Sequence, residues 1–157
     1  MLKNKILGLF QGLNNVAKLK GVKFAYAVIR NLNILQPEIE AIQKSLEPQD
    51  DFNVYDKERM ELAKKFSKKD EKGEPKIENN QFILEDVKGF EKEIEQLAKK
   101  HKPALDAREK QVKEYNELLK EETKVELYKV KLADVPTDIT TEQLAGIYDI
   151  IGEDGKI

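Results

Sequence analysis

Apolar residues fall on helical spacing through most of this chain, and the longest such pattern runs from Asp51 to Leu119. It reads as two amphipathic helices folded back on each other. Phe52, Tyr55, Leu62 and Phe66 mark the apolar side of the first, over about 52–69. Its closing Lys64, Lys65, Lys68 and Lys69 suit the negative end of a helix dipole. In the second, Val87, Phe90, Ile94, Leu97 and His101 follow at steps of 3, 4, 3 and 4. Leu105, Arg108, Val112, Tyr115 and Leu119 then resume the spacing after an extra four-residue step. Such a stutter locally unwinds a coiled coil, and Pro103 lies inside it. Read as one helix over 87–121, with Asp86 as its cap, this stretch would be on the order of 50 Å long.

Between the two helices the period changes. Pro75-Lys76-Ile77-Glu78 and Gln81-Phe82-Ile83-Leu84 flank Asn79-Asn80, and Asn tolerates the positive φ that a two-residue turn demands. The expectation is a β-hairpin over 75–84. A lone two-stranded hairpin is marginal in water, so it must cap the helical pair, join another strand or dock to a partner. Ile77, Phe82, Ile83 and Leu84 are the candidate partner-binding residues.

Upstream, Ile6, Leu9, Phe10, Leu13, Val16 and Ala17 share one stripe of a first helix, weakened by Gly8 and Gly12 at about 1 kcal/mol each. Val28, Leu32, Leu35, Ile39, Ile42 and Leu46 make a seam at steps of 4, 3, 4, 3 and 4. Pro37 falls inside that seam and should kink the helix or begin a new one. Phe24 and Tyr26 ahead of it read as packing residues rather than a base-stacking platform. Downstream, KVELYKVKL over 124–132 alternates with period two and reads as an edge strand. Thr140 to Gln143 resembles a capping box before a short helix carrying Leu144, Ile147, Tyr148 and Ile151 and ending at Gly152.

The fold expected is mainly α: an elongated antiparallel helical hairpin or coiled coil, a β-hairpin at its tip, and a small C-terminal strand–helix unit. One domain over 1–157 is expected, divided into N-terminal basic helices (1–47), the helical pair (51–121) and the strand plus short helix (123–157). Composition agrees with that reading: 37% charged against 39% apolar residues leaves little for a wide core, which a narrow helical seam does not need.

Charge is unevenly spread. Lys3, Lys5, Lys18, Lys20, Lys23 and Arg30 precede Pro37 without a single acid, so that segment is +6 and the remaining 120 residues carry -8 of the total -2. Lys18, Lys20, Lys23 and Arg30 are the candidate anion-binding residues, although the near-neutral total opposes a whole-molecule affinity for nucleic acid. The first helix could serve a membrane surface or nucleic acid as a basic amphipathic element. The Asn and Gln on its polar face favour ordinary packing instead.

The search for chemistry yields little. No cysteine is present, so disulfides and thiolate metal sites are excluded. The lone His101 sits on the apolar seam and reads as a packed side chain, since one His without Cys builds neither a metal cluster nor a nucleophile–base pair. Gly152 to Lys156 lacks the spacing of a phosphate loop. Asp106, Glu122 and Lys124 have the outline of a nuclease triad. Along a straight helix, however, Asp106 and Glu122 stand about 24 Å apart, too far to share one ion. The lysines at 64–69 and 99–102 are interleaved with Glu61, Asp70, Glu93 and Glu95, as on a solvated face. No apolar run approaches the ~20 residues of a membrane span, and Ile6 to Phe10 stops short of a signal-peptide core.

Three blocks carry a family resemblance: KFAYAVIRN (23–31), FSKKDEKGEPKIENNQFILED (66–86) and VELYKVKLADVPTDITTEQLAGIYDII (125–151). Together they resemble small, largely uncharacterised helical proteins encoded by tailed bacteriophages. The resemblance implies a viral, non-enzymatic protein and supplies no active-site residues. The layout alone is similar to prefoldin-type chaperones, in which a β-hairpin joins antiparallel coiled-coil helices. The expected function is therefore a protein–protein interaction or structural role, as a phage virion component or assembly factor. The expected place is the virion or host cytoplasm. Partners would be other proteins or further copies of the chain as a homo-oligomer, with no cofactor and no small-molecule substrate. The alternatives are nucleic-acid binding through the basic N-terminal segment and inhibition of a host enzyme.

Overall fold

The computed structural model describes residues 1–152. The stretch after Gly152, read above as lacking the spacing of a phosphate loop, lies outside the described residues. The protein is mainly helical, with six α-helices and four two-residue strands among the described residues. It divides into two compact units: residues 1–46 with 114 onward, and residues 47–113.

In the first unit, α1 (Lys3–Val16) packs on α2 (Val22–Leu46) and on the short α6 (Thr141–Gly146). Gly21 at φ 135 makes the turn between α1 and α2. The expected stripe of α1 delivers Ile6, Leu9, Leu13 and Val16 to the core. Helix α2 adds Val28, Leu35 and Ile39 of the expected seam together with Phe24 and Ala27 ahead of it, and the last segments contribute Val130, Ile147 and Ile150. Leu2 offers no side-chain cap to α1, so the open amides of Lys3 and Asn4 donate to the Glu121 and Leu119 carbonyls. Thr140 and Gln143 form a capping box at the start of α6.

Three details differ from expectation. Helix α2 passes through Pro37 without ending. Pro37 and Asn33 both face solvent, where water can take the carbonyl that proline leaves unbonded. The period-two stretch forms a ladder only at β3 (Val130–Lys131), which pairs in parallel with β4 (Ile151–Gly152). Gly152 thus ends in a strand rather than closing a helix, because α6 stops at Gly146.

In the second unit, α3 (Asp50–Phe66) packs on α4 (Val87–Lys100). Strands β1 (Ile77–Glu78) and β2 (Gln81–Phe82) pair antiparallel between them around Asn79 (φ 49) and Asn80 (φ 60). Lys68 and Lys69 do not extend α3. Lys68 donates its amide to Ile83 and accepts from Lys76, and Lys69 bridges Pro75, so residues 67–69 form a third extended segment. The Asp70 carboxylate accepts from the amides of Lys72 and Glu74, and Gly73 at φ 81 completes that turn.

The expected single helix over 87–121 is two: α4 ends at Lys100, and α5 (Lys102–Leu118) begins after His101. Pro103 lacks the N–H that would bond to Lys99, and its ring crowds that carbonyl. The stutter is therefore a break, with proline accepted in the new first turn.

Candidate interaction surfaces

The described residues contain no group of three or more His, Cys, Asp or Glu side chains able to hold a metal. Asp106 is paired with Lys102 at 2.9 Å, and Glu122 lies in a bridge to Leu2. No helix of the described residues is long and apolar enough to cross a membrane. What remains are surfaces, in both units.

The strand tip of the second unit shows Ile77 57% exposed, with Phe82, Ile83 and Leu84 half-buried. Ile83 spends its amide on Lys76 and its carbonyl on Lys68, so its backbone is already tied into the three-segment arrangement.

A larger opening lies along α3 and α4, a groove of about 790 Å³. Val54, Leu62 and Leu97 form its apolar floor. Cross-helix ion pairs flank it, Lys65 to Glu93 at 3.0 Å and Lys100 to Glu58 at 2.8 Å. Further along the pair, Phe66 meets Phe90 edge to face. The lysines at 64–69 and 99–102 are paired mostly with glutamates, as a solvated face requires: Lys64 with Glu61 and Lys99 with Glu95 complete the set.

His101 sits at the end of α4 with its ring against Tyr55. Its buried Nε2 has no hydrogen-bond partner, although Glu58 Oε2 stands 3.3 Å away. The two groups are near enough to pair only when the imidazole is protonated. The Glu58 carboxyl is held below its ordinary range, first by the Lys100 ammonium and then by His101.

The first unit carries a different surface. Arg30 lies over the Tyr128 ring at 4.6 Å and donates to the Tyr26 hydroxyl, while Tyr26 meets Tyr128 edge to face. Beside them Val22, Lys23, Lys129 and Lys131 line an opening of about 330 Å³. Of the candidate anion binders, Lys23 is paired with Asp134 at 3.0 Å and Arg30 is occupied by tyrosines. Lys18 and Lys20 are exposed in the turn after α1.

No family model, curated protein or solved structure matches this chain.

Two structural anchors escaped the sequence patterns. Asn31 is fully buried beneath the Tyr128 segment, where a helical stripe expects an apolar side chain. Gly12 is a contact point rather than a weak spot: a Cβ there would stand 2.1 Å from the Gly146 carbonyl oxygen. A buried polar residue one step from a seam is the only signal that could have found the first. Nothing local marks the second.

Proposed function

We propose that this chain is a non-enzymatic protein–protein interaction protein of a tailed bacteriophage, serving as a virion component or assembly factor. Its partner-facing part is the α3/α4 pair with the strand tip, used as an antiparallel helical hairpin of coiled-coil type. One observation carries the reading: among the described hydrophobic residues of 47–113, only Leu97 is buried. A helical pair with so little core gains by covering its apolar stripe with another protein. The phage assignment is supported by the three sequence blocks at 23–31, 66–86 and 125–151.

Affinity capture from a phage-infected lysate tests it, comparing wild type with Val54→Lys on the groove and a Phe82→Ala/Ile83→Ala pair at the tip. Partners held by wild type and lost from one or both variants, at unchanged helicity, are the expected outcome. Equal capture by all three would move the contact surface elsewhere.

A second reading rests on the exposed Lys18 and Lys20 and on Lys129 and Lys131 beside Tyr26 and Tyr128. It predicts binding to an anionic chain such as single-stranded nucleic acid, steeply weakened by salt. Reversing Lys18, Lys20 and Lys23 should abolish it, and no mobility shift with DNA or RNA at low salt removes it.

A further inference from the structure

Helix α2 carries a second apolar line besides the one that enters the core. Val22 is 90% exposed, Tyr26 54% and Ile29 59%. Their steps of 4 and 3 set them on one face, directly away from buried Phe24, Ala27, Val28 and Leu35. Scattered exposed apolar side chains need no explanation, but a continuous line of them about 10 Å long does. The opposite face already roots α2 in the core, so this stripe is surplus to folding.

The segment from Thr123 to Asp134 runs antiparallel beside α2 and walls one side of the stripe. Asp134 meets Lys23, Tyr128 meets Tyr26 and Arg30, and Thr123 meets Glu38. Val22, Tyr26, Tyr128 and Val130 thereby line the recess of about 330 Å³.

Charge selects what enters it. Lys23, Lys129 and Lys131 line the recess against one acid, Asp134, which Lys23 already occupies. Lys129 donates to the Asp149 main-chain carbonyl, and Arg30 meets only tyrosines. Lys131 has no ion pair among the described residues. Three cations thus border an apolar stripe without a carboxylate of their own. Glu126, the next acid along the wall, lies past Tyr128 toward Thr123 and outside the recess.

We infer that the α2 stripe, walled by residues 128–131, docks an acidic amphipathic peptide of a protein partner. Such a peptide carries aliphatic side chains at steps of 3 and 4, with Asp or Glu beside them. Lys23 and Arg30, seven residues apart on one flank, stand where paired helices match their charges. Nucleic acid fits less well, because Val22 and Ile29 offer a base no ring to stack on. A bilayer fits less well, because the site is recessed. The surface belongs to the first unit and does not depend on the α3/α4 groove.

The test is a random short-peptide library displayed on yeast and screened against the full chain, with binders measured by fluorescence anisotropy. Enriched peptides should be acidic, with aliphatic residues at helical spacing, and should weaken several-fold between about 50 and 300 mM salt. Ile29→Lys should weaken them about tenfold through the lost apolar contact. Lys131→Glu should weaken them about fivefold, and a peptide with its acids changed to lysine should regain affinity for that variant. Val54→Lys in the other unit should change nothing.

No enrichment, neutral or basic binders, or acidic binders indifferent to Ile29→Lys and Lys131→Glu overturn the inference. Loss of binding in Val54→Lys overturns it by moving the peptide to the groove. The sign of Ile29→Lys also separates a polyanion surface, since it removes an apolar contact and adds a cation. Oligothymidylate or phosphatidylserine vesicles binding more tightly to that variant than to wild type overturn the inference too. Should Ile29→Lys lose helicity by circular dichroism, Lys131→Glu and its charge-exchanged peptide decide the matter alone.

Discussion

Replacing Asn31 tests the account of how the C-terminal segment is held. The Asn31 amide lies fully buried on α2 and treats Tyr128 as a neighbouring strand would. Its Oδ1 accepts from the Tyr128 amide at 2.8 Å, and its Nδ2 donates to the Tyr128 carbonyl at 2.8 Å and to the Ala27 carbonyl at 2.9 Å. Asn31→Ala deletes all three bonds and leaves a small void. At a net ~1 kcal/mol per bond the loss is about 3 kcal/mol. The Tyr128 groups are only part-buried, so water recovers some of it and the floor is about 1.5 kcal/mol. Asn31→Asp keeps the bond from the Tyr128 amide. It also turns a carboxylate oxygen toward two carbonyls in a dry site, so at neutral pH it should cost more than alanine.

Urea unfolding of the first unit, followed by near-UV signals from its tyrosines, gives the free energies. Hydrogen exchange should show the Tyr128 amide losing protection before the α1/α2 core does. A loss under about 0.5 kcal/mol for Asn31→Ala, or an Asp variant no worse than Ala at pH 7, would refute the reasoning.

Two glycines of α1 should respond in opposite directions. Gly12→Ala drives a methyl into the Gly146 backbone and should cost about 3 kcal/mol by thermal or urea unfolding, while Gly8→Ala meets nothing within 4 Å and should gain about 0.5–1 kcal/mol. Glu58 should titrate below the ordinary carboxylate range by NMR and move up in Lys100→Ala, with an unchanged titration counting against the Lys100 contact. Its folded-state value is lowered, so the stabilisation it gives the α3/α4 pair is present above the ordinary value and is lost as pH falls through the folded one. His101→Leu removes a buried nitrogen without a hydrogen bond and should raise the melting temperature of the α3/α4 unit or leave it unchanged; a fall of several degrees would give the imidazole a structural role.

Much of the helical content was legible because helical period is a local property. The stripes of α1 and α2 put the right faces inward, and Asn79-Asn80 announced its own turn through a backbone preference. The rest depended on distant partners. The alternation at 125–131 does lay Val125 and Leu127 against the core, but only Val130 and Lys131 pair with a strand, and Tyr128 is held by one asparagine side chain on α2. No period reports that. Gly12 reads as a local weakness until Gly146, 134 residues later, is set against it. Pro37 and Pro103 carry the same covalent restriction and have different outcomes. The first sits on a solvated face with its helix anchored on both sides by buried Leu35 and Ile39, and the second falls where the apolar seam itself slips.

The acid-free N-terminal segment is where charge and fold meet. Six cations without an acid invite an anionic ligand, yet the fold brings acids from the other end of the chain to some of them. Lys3 pairs with Glu121 at 2.9 Å and Lys23 with Asp134 at 3.0 Å, while Arg30 is spent on two tyrosines. Exposed pairs like these contribute little stability, but they cancel much of the local field that would draw in a polyanion. Lys5, Lys18 and Lys20 keep their charge in the open, and three separated lysines neutralise few phosphates. The segment's charge asymmetry is thus partly cancelled by acids from the last third of the chain, which folds into the same unit. That leaves the α3/α4 groove, with its uncovered apolar floor, as the surface with most to gain from a partner.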